Sequence, residues 1–536
     1  MADASPQSPS VNLLSATLSS ASSLVFLQFF SRIFTFALNQ ALVRLASPQT
    51  FGTAAIQFEL LLSTILFLSR EGVRNALLRA PPSVSSNKKG LRDLLTNISL
   101  LPVFLGIPAA FIIASIYTVA SAPSTAAQPH FHLSVVIYAV AASLELLAEP
   151  LHIRAQNELR FSVRVRAEGA SVLLKTLVTF AVLAFGPPDW ALLAFALGQA
   201  AYGSTTLVSF LLVYGRQSRY LLKTVSMEVV YFDPELLHLS RAMTVQSAVK
   251  HFLTEGDKFF VSRLSPLADQ GGYAIASNYG SLVARILFQP IEETSRLFFS
   301  KTLPTSSDKG EAKAKDAIHT AARILLGLLL LFTHLLLLLS TFGPPYLALA
   351  TTVFLPPRYQ QTSAPIILRA YIYYIPTMAF NGVLEAFLAS ACTPADLRAQ
   401  SRWMAGASVG FVLAAVGLAR GLGWGDAGLV YANIANLGVR ALYAWLFVGR
   451  YFRARGAGSV VGWRGAVPPK RVLVVFALAA GVTRWSERVY RDVPLSIIAQ
   501  SGHVAVGGVC AVGCLLACFF FEKAKIAEVS AVLRRR

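Results

Sequence analysis

Charge is scarce in this chain of 536 residues, and acidic charge scarcest: 27 Asp and Glu stand against 47 Lys and Arg, and the four types make up only 14% of the sequence. A soluble domain averages about a quarter charged residues. With 55% of its residues apolar, the chain has too few polar groups to cover a water-facing surface. Cysteine is rarer still, at positions 392, 510, 514 and 518, which excludes a disulfide-built scaffold. Cys510, Cys514 and Cys518 recur every four residues in one apolar stretch. That spacing could present thiolates to a metal, but no His or acidic partner is evident beside them, so they read as small residues on a helix face and no metal site is expected. Met1–Asn12 contains no Lys or Arg, so the basic start of a secretory signal is missing. No GxxxxGK[ST] loop occurs, which excludes an ATP-powered machine of the P-loop type. No cofactor is expected.

What the sequence has is long apolar runs. Spanning a bilayer takes helices of about 20 apolar residues, because only helices and closed barrels satisfy their own backbone groups in lipid. The runs predict an all-α polytopic membrane protein with about 14 transmembrane helices, at 15–43, 51–70, 93–118, 132–151, 168–186, 189–214, 237–262, 271–298, 317–342, 365–390, 400–420, 426–449, 470–487 and 499–521. The loops alternate in charge. One set carries 32 basic residues, among them Arg79, Lys88, Lys89, Arg164, Arg166, Lys309, Arg450 and Arg471; the other carries 7. The positive-inside rule makes the rich side cytosolic, and an even number of spans puts both termini there. The net charge of +20 therefore reads as orientation and attraction to anionic membrane lipids, not as a nucleic-acid footprint.

A weak internal repeat divides the chain. Val43-Arg44-Leu45-Ala46-Ser47-Pro48 closes the first span and Ser262-Arg263-Leu264-Ser265-Pro266 the seventh, and each leads into another span. Two parallel halves around a shared site are a common transporter plan. The expected layout is a disordered cytosolic tail (1–14), an N-lobe of six helices (15–214), a basic cytosolic linker (215–236), a C-lobe of six helices (237–449), a cytosolic loop (450–469), two appended helices (470–521) and a basic tail (522–536). The two lobes are expected to enclose a central cavity.

Ionisable residues inside spans are expensive and mark function. They cluster in the first two spans of each half: Arg32 and Glu59; then Lys250, Glu255, Asp257 and Lys258; then Arg285, Glu292 and Glu293. Such charges must face water or protein, so these helices are expected to line one polar cavity. Arginine offers a donor fork suited to phosphate, which makes Arg32, Arg285 and, at the cytosolic mouth, Arg70 and Arg74 the candidate binders of an anionic cargo. Glu59, Lys250, Glu255, Asp257, Lys258, Glu292 and Glu293 are the candidate gating and ion-pair residues. The competing reading is ion pairing that fixes helix packing, for example Arg285 with Glu255 or Asp257. Gly256 and Pro290 interrupt the same spans and are candidate hinges, with a static kink as the alternative.

Leu253-Thr254-Glu255-Gly256-Asp257-Lys258, with Asn278-Tyr279-Gly280-Ser281-Leu282-Val283-Ala284-Arg285-Ile286-Leu287-Phe288-Gln289-Pro290-Ile291-Glu292-Glu293, resembles the signature of the eukaryotic endoplasmic-reticulum oligosaccharide-translocation proteins. That family belongs to the multidrug/oligosaccharidyl-lipid/polysaccharide exporter superfamily. Supporting matches are Arg70-Glu71-Gly72 with Arg74, Glu145 with Glu149-Pro150, and Asn381-Gly382 with Glu385. The resemblance implies two six-helix lobes around a cavity, residence in the endoplasmic-reticulum membrane, and movement of a dolichol-diphosphate-linked oligosaccharide to the lumenal leaflet for N-glycosylation. Arg164 and Arg166 stand where that pattern has lysines, and Phe354–Arg358 departs from it. The alternatives are an accessory protein that organises other glycosylation-pathway membrane proteins, or a drug/cation antiporter of the same superfamily. A multispan glycosyltransferase would need acidic residues on a substantial lumenal loop, whereas the lumenal loops here are short and hold few acids, Asp269 and Asp492 among them. No enzymatic activity is expected.

The topology is testable by labelling. Cysteines introduced at 79–92, 301–315 and 450–471 should react with an impermeant reagent added from the cytosolic side. Labelling of a cysteine at 309 from the lumen alone would overturn the orientation.

Overall fold

In the computed structural model, residues 40–79, 89–158, 160–215, 220, 222, 231–303 and 311–534 are described. Helix dominates, and no strand occurs among these residues. The long helices are α1 (Pro48–Leu77), α2 (Leu94–Ala120), α3 (Phe131–Asn157), α4 (Phe161–Phe185), α5 (Ala191–Tyr214), α6 (Pro234–Leu264), α7 (Leu267–Val283), α8 (Gln289–Thr302), α9 (Glu311–Phe354), α10 (Ala364–Ala391), α11 (Pro394–Val416), α12 (Gly425–Ala454), α13 (Lys470–Val489) and α14 (Ser501–Arg534). Each predicted span from the second onward coincides with one of these, except that the eighth is built from α7 and α8 in succession. Only 40–43 of the first predicted span lie among the described residues, and they are helical. By length and apolar composition, eight helices among the described residues can cross a membrane. α6, α7, α8, α10, α12 and α13 are not among the eight: α7 and α8 are short, at 17 and 14 residues, and α6 carries Glu255, Asp257 and Lys258, which lower its apolar content.

The chain divides into two compact units, Met1–Ser262 and Arg263–Arg536. The division falls in the last turn of α6, the helix with which the sequence reading opens the second lobe. Both copies of the repeated motif mark a helix-to-helix turn. In the first, the Ser47 hydroxyl accepts the Thr50 N–H at 3.2 Å and Pro48 opens α1, the arrangement that a serine cap and an N-terminal proline favour. In the second, Pro266 caps α7 and the Gln270 side chain donates to the Ser265 carbonyl at 3.0 Å.

Within the first unit, the core gathers Phe58, Leu61 and Ile65 of α1, Ala110 of α2, Phe131, Tyr138 and Leu146 of α3, and Leu192 and Ala196 of α5. Small residues let these backbones close up, as is usual in lipid, where packing replaces the hydrophobic drive. A Cβ on Gly203 of α5 would stand 2.7 Å from the Ala141 carbonyl oxygen of α3. The second unit packs Phe299, Leu325, Phe332, Phe387, Val448 and Phe452 into its own core.

Four helical stretches among the described residues wind as π turns: Thr53–Phe58 and Phe67–Glu71 within α1, Ala284–Phe288 between α7 and α8, and Gly417–Gly421 after α11. Pro290 follows the third at the start of α8. Its missing N–H thus falls where the i→i−4 ladder is already widened.

α9 holds a tandem Pro344-Pro345 in its interior. Two prolines remove the N–H groups that would serve the Ser340 and Thr341 carbonyls. α13 supplies donors instead: Arg484 Nη2 lies 3.3 Å from the Ser340 oxygen, and the Thr483 hydroxyl, which also serves its own Ala479 carbonyl at 2.8 Å, lies 3.4 Å from the Thr341 oxygen. Buried His503 of α14 completes the joint. Its Nε2 meets the Pro345 carbonyl at 3.2 Å, its Nδ1 meets the Ser486 hydroxyl at 2.8 Å, and Tyr346 stacks on its ring at 4.2 Å.

The proline pair should therefore be coupled to α13. Thr483→Val with Arg484→Met should cost about 1–3 kcal/mol, the range for stranding a buried polar group, read as a lowered Tm of the purified protein. The loss should shrink in a Pro344→Ala/Pro345→Ala background, where α9 makes its own bonds. Equal losses in both backgrounds would contradict the coupling.

Candidate functional site

A buried charge network crosses the first unit. Arg70 and Arg74 sit four residues apart on α1, and Glu145 and Glu149 sit four apart on α3, so each pair faces one way. Arg74 grips Glu149 with two parallel bonds, Nε to Oε1 at 2.7 Å and Nη2 to Oε2 at 2.6 Å. Arg70 is held more loosely, with Nη1 3.4 Å from Glu145 Oε2 and 3.8 Å from Glu149 Oε2. The network continues inward. Gln199 of α5 donates to Glu145 Oε1 at 2.9 Å, and Lys175 of α4 donates to Gln199 Oε1 at 2.6 Å. The Lys175 ammonium also lies 6.0 Å from the centre of the Tyr202 ring. Glu149 is 1% exposed and Glu145 6%, while Arg70 keeps 24%.

Arg70 lies in the π turn Phe67–Glu71. It also borders a groove of about 240 Å³ along α1, lined by Glu59, Leu62, Ser63, Leu66, Phe67, Arg70 and Glu71. α6 closes over the same helix. The Thr64 hydroxyl bonds His251 Nε2 at 3.0 Å, the His251 ring stacks on Phe67 at 5.0 Å, and a Cβ on Gly72 would stand 2.5 Å from the Thr244 backbone. Past the C-terminal end of α3, Glu158 accepts from Arg154 Nε at 2.8 Å and from the Tyr214 hydroxyl at 2.9 Å. Burial works to raise its carboxyl, but these donors and the charges of Arg154 and Arg160 hold it below the usual carboxylate range.

The other expected site residues are distributed as follows. Lys258 pairs with Glu255 at 2.8 Å, three residues away on α6, and Asp257 accepts the Lys258 N–H at 2.8 Å. Gly256 is buried within the same helix. Arg296 pairs with Glu292 at 2.9 Å, and Glu292 Oε2 lies where a Cβ on Gly382 would be 3.1 Å away. Gln289 donates to Glu293 at 3.2 Å on an exposed face. Arg285 occupies the π turn Ala284–Phe288. Its side chain and that of Lys250 lie outside the described residues, as does the whole of Arg32. In the second unit, Arg440 of α12 grips Glu385 of α10 with Nε to Oε1 at 2.9 Å and Nη2 to Oε2 at 3.0 Å.

The sequence reading assigned no site role to Glu145, Glu149, Lys175 or Gln199. The signal for the two glutamates was available: matching four-residue spacings, Arg70/Arg74 on one apolar helix and Glu145/Glu149 on another. Gln199 carries no charge and gave none.

A family model described as "Rft-1: Rft protein" matches residues 16–531. Curated relatives named Man(5)GlcNAc(2)-PP-dolichol translocation protein RFT1 are 32% identical in Mus musculus and 31% in Xenopus tropicalis, each alignment covering 94% of both chains. The relative of that name in Schizosaccharomyces pombe is 34% identical over 82% of this chain and 84% of its own. Two solved structures share the fold. One is a lipid II flippase MurJ in an inward closed conformation (TM-score 0.60, 15% identity, 94% of this chain and 99% of that one). The other is an inward-facing multidrug resistance MATE family transporter of the MOP superfamily (TM-score 0.53, 13% identity, 79% and 96%). A multi-pass helical chain with the MurJ and MATE fold, matched by one family model from residue 16 to residue 531, belongs to the Rft protein family.

Proposed function

We propose that this chain translocates dolichol-diphosphate-linked oligosaccharide from the cytosolic to the lumenal leaflet of the endoplasmic-reticulum membrane. The observation that carries the reading is the family match along nearly the whole chain, with curated relatives of at least 30% identity named for moving that glycolipid. In this reading about 14 helices form two six-helix lobes around a central cavity, followed by two further helices. Both termini face the cytosol, and the molecule acts as a transporter, not an enzyme.

The chemistry of the cargo explains the charges. A diphosphate cannot cross the apolar middle of a bilayer without compensating cations. Arg70 suits this task at the cytosolic mouth: it borders the α1 groove, is partly exposed, and holds its glutamates at distances that leave donors unspent. Arg74 is different, because both arms of its fork are filled by Glu149. It holds the helices together and reaches a phosphate only if that pair opens. Arg285 occupies a π turn of the second unit as Arg70 occupies one in the first, and with Arg32 it would carry the diphosphate past the midplane. The seam of α6 on α1, at Thr64, Phe67 and Gly72, would be the gate over the groove, with Lys250, Glu255, Asp257 and Lys258 on the gate helix and Glu59 below it. Glu292 and Glu293 pair within α8, and Gly256 and Pro290 are the hinge positions of this scheme.

Substitutions separate these roles. Cells that rely on the variant should be scored for protein level, accumulated early glycolipid and under-glycosylated secreted proteins. Arg70→Gln and Arg285→Gln should accumulate as protein yet lose translocation by at least about tenfold, with Arg285→Lys in between because the charge survives and the fork does not. Arg74→Gln should instead reduce the protein itself, since stranding a buried carboxylate costs about 3–5 kcal/mol. Adding Glu149→Gln should restore the level. Normal glycosylation in the Arg70→Gln cell would remove Arg70 from the binding seat. If Arg285→Gln is cured by neutralising Glu255 or Asp257, Arg285 was a packing partner.

A further inference from the structure

The transport reading leaves one cluster of chemistry-bearing side chains unused, in the second unit where α9 meets α14. His334 of α9 and Cys518 and Glu522 of α14 place one ligand atom each within 4.8 Å of one another. Glu522 is 3% exposed, and its Oε1 has no hydrogen-bond partner among the described residues. Cys518 and Glu522 are four residues apart, hence on one face of the helix.

The protons around His334 define the site. Nδ1 lies 2.8 Å from the Leu330 carbonyl, which can only accept, so Nδ1 carries a hydrogen. A neutral ring then turns a lone pair at Nε2 toward Glu522 Oε2, an acceptor 2.7 Å away. Two acceptors at that distance repel unless a cation lies between or beside them: a proton, or a metal ion. The third ligand decides between these. A shared proton needs only the imidazole and the carboxylate, whereas a thiol converging on the same point adds a soft donor that a proton does not use. A ring N–H held by a backbone carbonyl is also the usual support of a metal-bound histidine.

We propose that His334, Cys518 and Glu522 bind a divalent zinc ion. Imidazole, thiolate and carboxylate are zinc's ordinary ligand set. Tetrahedral bonds of 2.0–2.3 Å place ligand atoms about 3.3–3.7 Å apart, inside the spread found here. Binding displaces the Cys518 thiol proton and leaves a fourth position for water. Two contacts place the site at the level of the basic loop before α13: the Thr333 hydroxyl bonds the Ala466 carbonyl at 2.7 Å, and the Arg471 guanidinium lies over Phe521 at 5.5 Å. The ion would pin the last helix to α9 at that end, as the His503 joint pins it at the other. Cys510 and Cys514, on the same helix face, pack with Phe342, Val472 and Phe476 in an apolar cluster that Cys518 also touches; they lie outside the three-ligand group and serve as internal controls.

The purified full chain should be stripped with a chelator, offered zinc alone, and measured for retained metal. Cobalt(II) should also be offered, because its thiolate bond gives a charge-transfer absorption band. One equivalent of zinc should be retained. His334→Ala, Cys518→Ser and Glu522→Gln should each weaken binding by at least about tenfold, with Cys518→Ser abolishing the cobalt–thiolate band. Cys510→Ser and Cys514→Ser should change neither. Cys518→Ser is the decisive variant because it removes a single ligand atom with little change of shape. Failure of the wild-type chain to retain zinc, or retention undiminished by Cys518→Ser, would overturn the proposal and leave a proton-shared His334–Glu522 pair.

Discussion

An ionised carboxylate in a helix that crosses a lipid bilayer must have its charge answered by neighbouring side chains. In the first unit that answer is the fork of Arg74 on Glu149, set on two helices that each repeat their charge after four residues. The fork determines which faces of α1 and α3 meet. The register it imposes brings Arg70 beside Glu145, and Gln199 and Lys175 extend the network to α5 and α4. Four helices are thus tied by buried polar contacts. The apolar core of Phe58, Ile65, Phe131 and Tyr138 can then pack in one arrangement, because sliding α1 along α3 would leave Glu149 stranded.

The same network separates rigid charge from available charge. Arg74 is spent on structure, and Arg70, one turn away, is not. Both arginines reach the glutamates of α3, but Arg70, in the π turn at Phe67–Glu71, also borders the groove, whereas the fork of Arg74 is filled by Glu149. The second unit repeats parts of the scheme, with a π turn around Arg285 and a second arginine–glutamate fork, Arg440 on Glu385. A transporter needs both kinds of charge: some to hold the halves in shape and some to meet an anionic cargo.

Much of the fold was legible in the sequence, because spanning a membrane is chiefly a matter of apolar length. The helices from α1 to α14 fall at the predicted spans, and the two Arg-Leu-x-Ser-Pro-like motifs mark turns as their serine and proline suggest. The site was legible in part. Charge in an apolar run identifies Arg70, Arg74 and Glu255, but partners are a property of packing, so the sequence could not match Arg74 to Glu149 or Glu255 to Lys258. The neutral Gln199 left no trace at all. The cysteines show the same limit from the other side. Cys518 seemed to lack a His or acidic neighbour. Yet Glu522 lies one turn along the same helix, and His334, nearly two hundred residues away in sequence, is delivered by the packing of α9.

Reconstitution tests the central claim most directly. The purified chain would be placed in vesicles with the dolichol-linked oligosaccharide, and the glycolipid exposed on each side followed over time with an impermeant sugar-modifying reagent. The account predicts that the protein speeds transfer between leaflets and that Arg70→Gln removes the effect without preventing reconstitution. Transfer no faster than in protein-free vesicles, from protein shown to be folded, would contradict direct translocation and favour an accessory role in the pathway.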